Sequence, residues 1–253
     1  MSTAEADMLA RVFACIDNTT LNATDNEATV EAFCRHTREL VLADGTTVAA
    51  VCVYPRFVQV AKRALAGSGI AVASVAGAFP HGQLPIELKV AEVHYAIEQG
   101  ADEVDVVISR GLLLAGADAE VSREVELMKQ ACCGRRLKVI LETGELRSPT
   151  LVERATRLAI DGGADFVKTS TGKSGTGATP EAAAAMLRAV ASSGRTVGFK
   201  AAGGIRTVEV AMHYARLATE TMGNAYIAPH TFRIGASSLT DALFAAIGQH
   251  PRI

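Results

Sequence analysis

Clusters of lysine and arginine are missing from this 253-residue chain. With 25 basic residues against 27 acidic ones and a net charge of -2, it offers no concentrated positive surface for nucleic acid or an anionic membrane. Long hydrophobic runs are missing as well. The longest apolar stretches, around Val48–Val53 and Ile70–Phe79, fall short of the roughly 20 residues that span a bilayer and have strand length instead. The opening MSTAEADMLARVF is acidic early and lacks a basic start followed by an apolar stretch, so no secretory signal is expected. Cysteine is poorly placed for disulfides. There are five, Cys132 and Cys133 are adjacent, and Cys15, Cys34 and Cys52 lie in apolar segments. Reduced, mostly buried thiols in a cytoplasmic protein are the expectation. No Cys-x-x-Cys or His-x-x-x-His spacing offers a zinc site, and neither metal nor cofactor is expected.

What is present is core material, 49% hydrophobic against 21% charged. A short β-branched run, a loop and an amphipathic stretch recur along the chain. The expected strands are Val12–Asp17, Val48–Val53, Ile70–Ala76, Glu103–Ser109, Lys138–Glu142, Phe166–Ser170, Val197–Lys200 and Arg233–Gly235. Most are continuous apolar runs, as parallel strands covered on both faces require. The expected helices are Asn26–Leu42, Arg56–Ala66, Ile86–Gln99, Glu120–Cys132, Pro149–Asp161, Pro180–Ser192, Val208–Thr221 and Ser238–Ile247. Ser148-Pro149 and Thr179-Pro180 each place a capping residue before a proline at the first helical position.

Eight βα units in this length, without a linker, predict an α/β fold of the (β/α)8 TIM-barrel class, one domain over residues 1–253. An extra helix over Met1–Arg11 would precede the first strand. A doubly wound sheet is the competitor, but the first strand runs into Asp17-Asn18-Thr19-Thr20-Leu21-Asn22 with no glycine fingerprint for a dinucleotide.

In a barrel, residues at the C-terminal ends of strands face the active site. Two of them are Lys168 and Lys200, on the sixth and seventh strands. Singly, each could snorkel to solvent or pair with a carboxylate. Together, inward-facing and roughly 5–6 Å apart, they would repel by about 3 kcal/mol at an effective dielectric near 20, which favours the neutral form of one of them. A neutral amine is what attack on an aldehyde requires. Alternation puts Glu103 and Asp105 on one face of the fourth strand, and a buried Asp105 needs a cationic partner. It fits either a structural ion pair or a proton relay, and Asp17 could join the same network.

The loop Thr169–Gly177 invites a P-loop reading, but residue 167 is valine where the motif needs glycine, and no G-x-S-x-G elbow occurs. Gly203-Gly204 after strand seven and Gly235-Ala236-Ser237-Ser238 after strand eight sit where barrels often grip phosphate. Turn chemistry alone could explain each. His81, Cys52 and Glu142 are weaker candidates: a lone loop histidine, a packed thiol, and a carboxylate that either acts or caps its loop.

The same residues carry a resemblance over nearly the whole chain. Cys52-Val53-Tyr54-Pro55-Arg56-Phe57, Phe79-Pro80-His81-Gly82, Ala101–Val107, Lys138–Gly144, Phe166–Gly172 and Gly198-Phe199-Lys200 resemble the deoxyribose-phosphate aldolases, class I enzymes of deoxynucleoside catabolism. The resemblance implies cleavage of 2-deoxy-D-ribose 5-phosphate to glyceraldehyde 3-phosphate and acetaldehyde. It implies Lys168 as the Schiff-base lysine and Asp105 and Lys200 as proton donor/acceptors. Asp17, Gly172, Lys173, Gly203, Gly204, Ser237 and Ser238 would bind substrate and its phosphate. The expected partner is a small sugar phosphate, with a homodimer as the candidate assembly. Two features depart from the family's pattern. Ala201 stands where proline is common, and the chain ends Gln249-His250-Pro251-Arg252-Ile253 without a terminal tyrosine. Another Schiff-base aldolase or transaldolase, and a silent sugar-phosphate-binding barrel, are the rival readings.

Overall fold

In the computed structural model, which describes residues 3–146 and 148–248, eight parallel strands close into a barrel in chain order. They are β1 (Ile16–Thr19), β2 (Ala50–Val53), β3 (Ala71–Ala76), β4 (Glu103–Val107), β5 (Arg136–Ile140), β6 (Phe166–Lys168), β7 (Gly198–Ala202) and β8 (Phe232–Ala236). Around them run α1 (Thr3–Ala14), α2 (Glu27–Glu39), α3 (Val58–Ala64), α4 (Ile86–Glu98), α5 (Arg110–Leu114), α6 (Asp118–Ala131), α7 (Pro149–Asp161), α8 (Pro180–Ser192), α9 (Val208–Met222) and α10 (Thr240–Ala246). The TIM barrel with a helix ahead of β1 is thus the observed architecture. Among the described residues no helix is long and apolar enough to cross a membrane. The tail 249–253, on which the missing tyrosine bears, lies outside the described residues.

The strand pleat sorts the side chains. Outward residues such as Val51, Val72, Val104, Val106, Val139, Val167 and Phe232 are buried in the main apolar core. Inside the barrel the two halves differ. On β2 and β3 the interior is small and apolar, with Ala50, Cys52, Ala73 and Val75 forming a separate cluster. From β4 onward the interior carries charge, and the candidate site lies there.

The cap signals act as their chemistry demands. Ser148 accepts from the Leu151 amide and Thr179 from the Ala182 amide, each with proline at the start of the helix. Both helices have the expected bounds.

Several expected elements differ. Val12–Ala14 is the end of α1, and the strand begins only at Ile16. Val12 and Phe13 are fully buried, and Phe13 packs on Phe244 of α10; a short apolar run suits a helix's inner face as well as a strand. The fourth strand stops at Val107, and Arg110–Leu114 forms the unanticipated α5. Arg56–Ala66 divides into a 3-10 turn, Pro55–Phe57, and α3. The fifth strand starts at Arg136 and ends at Ile140, because Glu142 turns into the left-handed region at φ 54°. The sixth ends at Lys168 and the seventh continues to Ala202.

Candidate active site

Register assembles the site. Asp105 of β4 pairs with Lys138 of β5, Lys168 of β6 with Lys200 of β7, and Lys200 with Arg233 of β8. Asp105 accepts from three lysines: Lys138 Nζ at 2.8 Å on Oδ1, then Lys168 at 2.9 Å and Lys200 at 2.8 Å, both on Oδ2. Asp17 accepts from Lys200 and Arg233, with Lys138 at 3.3 Å. Glu103, inside the barrel with Asp105 as alternation requires, takes Lys138 at 2.6 Å and Arg233 at 2.8 Å. All seven side chains are buried. The network therefore unites Asp105, Lys168, Lys200 and Asp17, adds Glu103, which alternation places on the face of Asp105 without giving it a role, and brings in Lys138 and Arg233, which the sequence reading did not single out.

The charge balance decides which lysine can be neutral. Lys138, Lys168, Lys200 and Arg233 face only three carboxylates, Asp17, Glu103 and Asp105. One buried cation is thus in excess, and an uncompensated buried charge is costly. Arg233 keeps its proton. Lys138 meets all three carboxylates and Lys200 meets two, whereas Lys168 meets Asp105 alone. Burial lowers Lys168 below the ordinary lysine value; Asp105 pulls it back up, and the Lys200 charge pushes it further down. Burial would lower Lys200 too, but Asp105 and Asp17 hold it above its usual value. Lys138, likewise buried, is held up by Asp105, Asp17 and Glu103. Burial opposes ionisation of Asp105, yet Lys138, Lys168 and Lys200 keep its carboxyl well below the usual range. The neighbouring lysine thus contributes as the sequence suggested, but burial is the larger cause.

Lys168 lies on a cleft of about 170 Å³ whose walls include Gly172 and Lys173 after β6, Gly203, Gly204 and Arg206 after β7, and Ser237 after β8. Gly172, Gly203 and Gly204 take φ of 75°, 88° and 83°, a conformation that suits glycine. Among the described residues none of their amides, nor that of Ser237, is used in a ladder or turn hydrogen bond. Free amides, Lys173 and Arg206 make this a wall suited to an anion. The Lys173 ammonium also donates to the Leu21 carbonyl at 2.6 Å, which fixes it across the cleft. Ser238 is exposed and is not part of the wall, and Asp17 sits in the barrel interior rather than on it.

Close packing imposes two further glycines. A Cβ at Gly177 would lie 2.2 Å from the Gly203 carbonyl oxygen, so the loops after β6 and β7 touch backbone to backbone. A Cβ at Gly235 would lie 2.9 Å from Lys200 Cε and 3.1 Å from Ala202 Cβ. Lys200 Nζ is pinned by two carboxylates and cannot swing away. Gly235→Ala is therefore expected to cost about 1–3 kcal/mol of stability, as overpacking does, and to lower turnover while Lys168 stays reactive. Thermal denaturation and steady-state kinetics check it.

The remaining candidates fall elsewhere. The Cys52 thiol is pushed up to about 11 by burial, with Asp105 adding to the rise, and sits in the apolar half of the interior. His81 is exposed, and its carbonyl accepts from Arg110 at 2.8 Å. Glu142 binds the loop after β6 rather than the cleft. Among the described residues no three His, Cys, Asp or Glu side chains gather so as to hold a metal ion. Arg206 is not among the expected site residues, although the expected phosphate segment Ala202–Arg206 ends on it, two residues beyond Gly204.

The profile of the DeoC/LacD family of aldolases matches residues 11–241. Among solved structures, a provisionally assigned deoxyribose-phosphate aldolase from Coccidioides immitis is similar, at 29% identity and a TM-score of 0.83, over 94% of this chain and 86% of that one. A protein described as QR15, an aldolase, is 28% identical with a TM-score of 0.78, covering 94% of this chain and 97% of that one. The deoxyribose phosphate aldolase from Aeropyrum pernix, described as a tetramer, is 26% identical with a TM-score of 0.73, covering 98% and 99%.

Proposed function

The chain belongs to the DeoC/LacD family of aldolases, and from that premise we propose that it cleaves 2-deoxy-D-ribose 5-phosphate through a Schiff base on Lys168. The observation that carries this reading is the position of Lys168: the lysine with a single carboxylate partner, on a cleft walled by glycine-rich anion-binding loops. Neutral Lys168 attacks the C1 aldehyde of the open-chain sugar, and loss of water gives a protonated imine. That cation draws electrons from the C2–C3 bond. The bond breaks as the C3 hydroxyl loses its proton, and glyceraldehyde 3-phosphate leaves. The electron pair ends on the enamine, which takes a proton at C2. Hydrolysis then frees acetaldehyde and the lysine.

The network accounts for the proton's route. While the iminium is charged, Asp105 faces three cations and is a weak base. As the enamine forms, the charge on Nζ disappears, and Asp105 becomes more basic at the moment a proton must be accepted, directly or through a water. Asp105 then gives that proton up to C2 of the enamine, directly or through the same water, and with Lys200 charged beside it throughout the pair is back in its starting state. The phosphate lies against Gly172, Lys173, Gly203, Gly204 and Ser237. We read this activity, on the resemblance alone, as a step of deoxynucleoside breakdown in the cytoplasm.

An enzyme-linked assay for glyceraldehyde 3-phosphate tests the reading. Release from 2-deoxyribose 5-phosphate is expected, at the same rate with and without EDTA. Cleavage of dihydroxyacetone-derived aldols instead, or loss of activity with EDTA, would overturn it.

A further inference from the structure

We propose that Glu142, clamped by Arg110, is a positioning residue that holds the loop after β6 in its phosphate-gripping shape without touching the substrate. The proposal rests on the reading of the cleft as a phosphate site. Glu142 is 1% exposed and takes a left-handed backbone at φ 54°, a conformation costly for a residue other than glycine, asparagine or aspartate. Its carboxylate accepts from the Thr171 hydroxyl, from the Thr171 amide at 3.3 Å and from the Ser174 hydroxyl at 3.1 Å. The Thr171 hydroxyl in turn accepts from the Lys173 amide at 3.0 Å. One carboxylate thus sets both sides of Gly172 and fixes the backbone from which Lys173 reaches across the cleft.

Arg110 makes that buried charge tolerable. Its guanidinium lies 3.5 Å from Glu142 and 3.2 Å from Glu145, and it donates to the His81 carbonyl at 2.8 Å. A single arginine therefore ties together the loops that follow β3, β4 and β5, and through Glu142 the loop after β6. Neither Glu142 nor Arg110 lines the cleft. An acceptor-only group is required: three donors converge on Glu142, and an amide would turn its NH2 toward one of them or toward Arg110.

Charge and positioning give opposite expectations for Glu142→Gln. Removing a negative charge beside an anion site would tighten phosphate binding if charge alone mattered. Loss of the loop's anchor would weaken it. For the full-length variant we expect KM for 2-deoxyribose 5-phosphate to rise about tenfold or more, the scale of a lost hydrogen bond to a charged group, with kcat within about threefold. Activity on unphosphorylated 2-deoxyribose, and borohydride trapping of acetaldehyde, should stay near wild type. Arg110→Gln, which leaves Glu142 unpaired, should also weaken calorimetric binding of inorganic phosphate. Unchanged or tighter phosphate binding in either folded variant overturns the proposal, and so does an equal loss on both sugars. Failure of the wild type to trap acetaldehyde would count against the aldolase mechanism instead, and phosphate calorimetry would still decide the role of Glu142.

Discussion

Lys168→Met should abolish turnover, lowering kcat/KM by at least about four orders of magnitude as loss of a covalent nucleophile does, yet leave the protein as stable as before or more so. The stability half of this expectation follows from the charge balance. Lys168 is the excess buried cation, held only by Asp105, so its removal leaves three carboxylates matched by the buried cations Lys138, Lys200 and Arg233, with Arg136 reaching Glu103 from a part-exposed position. Lys138→Met does the opposite. It takes one cation from Asp17, Glu103 and Asp105 together, and breaking a buried network in this way costs about 3–5 kcal/mol. Urea denaturation of the two variants separates the outcomes. A Lys168→Met protein as damaged as Lys138→Met would show that the excess charge is misassigned.

The second large effect is a pair of opposite pH shifts. The neutral form of Lys168 is the nucleophile, so kcat/KM should rise with pH through the pKa of Lys168 in the folded protein. Lys200 lowers that value and Asp105 raises it. Lys200→Leu should therefore move the rising limb to higher pH and cut the rate steeply near neutrality. Asp105→Asn should move the limb to lower pH. Both variants lose rate overall, because the same side chains carry the proposed proton relay; the position of the limb, not its height, reports the electrostatics. Limbs that coincide with wild type in both variants would mean that burial alone sets Lys168.

Sequence and structure agree best where local chemistry is decisive. Ser148-Pro149 and Thr179-Pro180 define helix starts through hydrogen bonds made within three residues, and such signals survive without tertiary context. Asp105, Lys168 and Lys200 were legible because charge is conspicuous in an apolar strand. Lys138 was not, although it obeys the same logic. The expected strand opens on Lys138, a place from which a lysine can reach solvent, whereas the strand begins at Arg136 and Lys138 is fully buried beside Asp105. Arg233 likewise opens the short expected strand Arg233–Gly235, whereas β8 begins at Phe232 and Arg233 is buried. The anchoring role of Glu142 was hidden for a different reason. It depends on a left-handed turn and on a loop that lies about 30 residues further along the chain, and neither leaves a periodic mark. The limits of α1 and β1 were misjudged because Val12 and Phe13 satisfy either period.

On the proposed mechanism Lys168, and no other member of the buried cluster, forms the imine. Borohydride reduction in the presence of acetaldehyde, followed by peptide mapping across a pH series, tests it directly. One ethyl adduct is expected, on Lys168, with trapping that grows as pH rises through its folded pKa. An adduct on Lys200 or Lys138, or none at all, would contradict it.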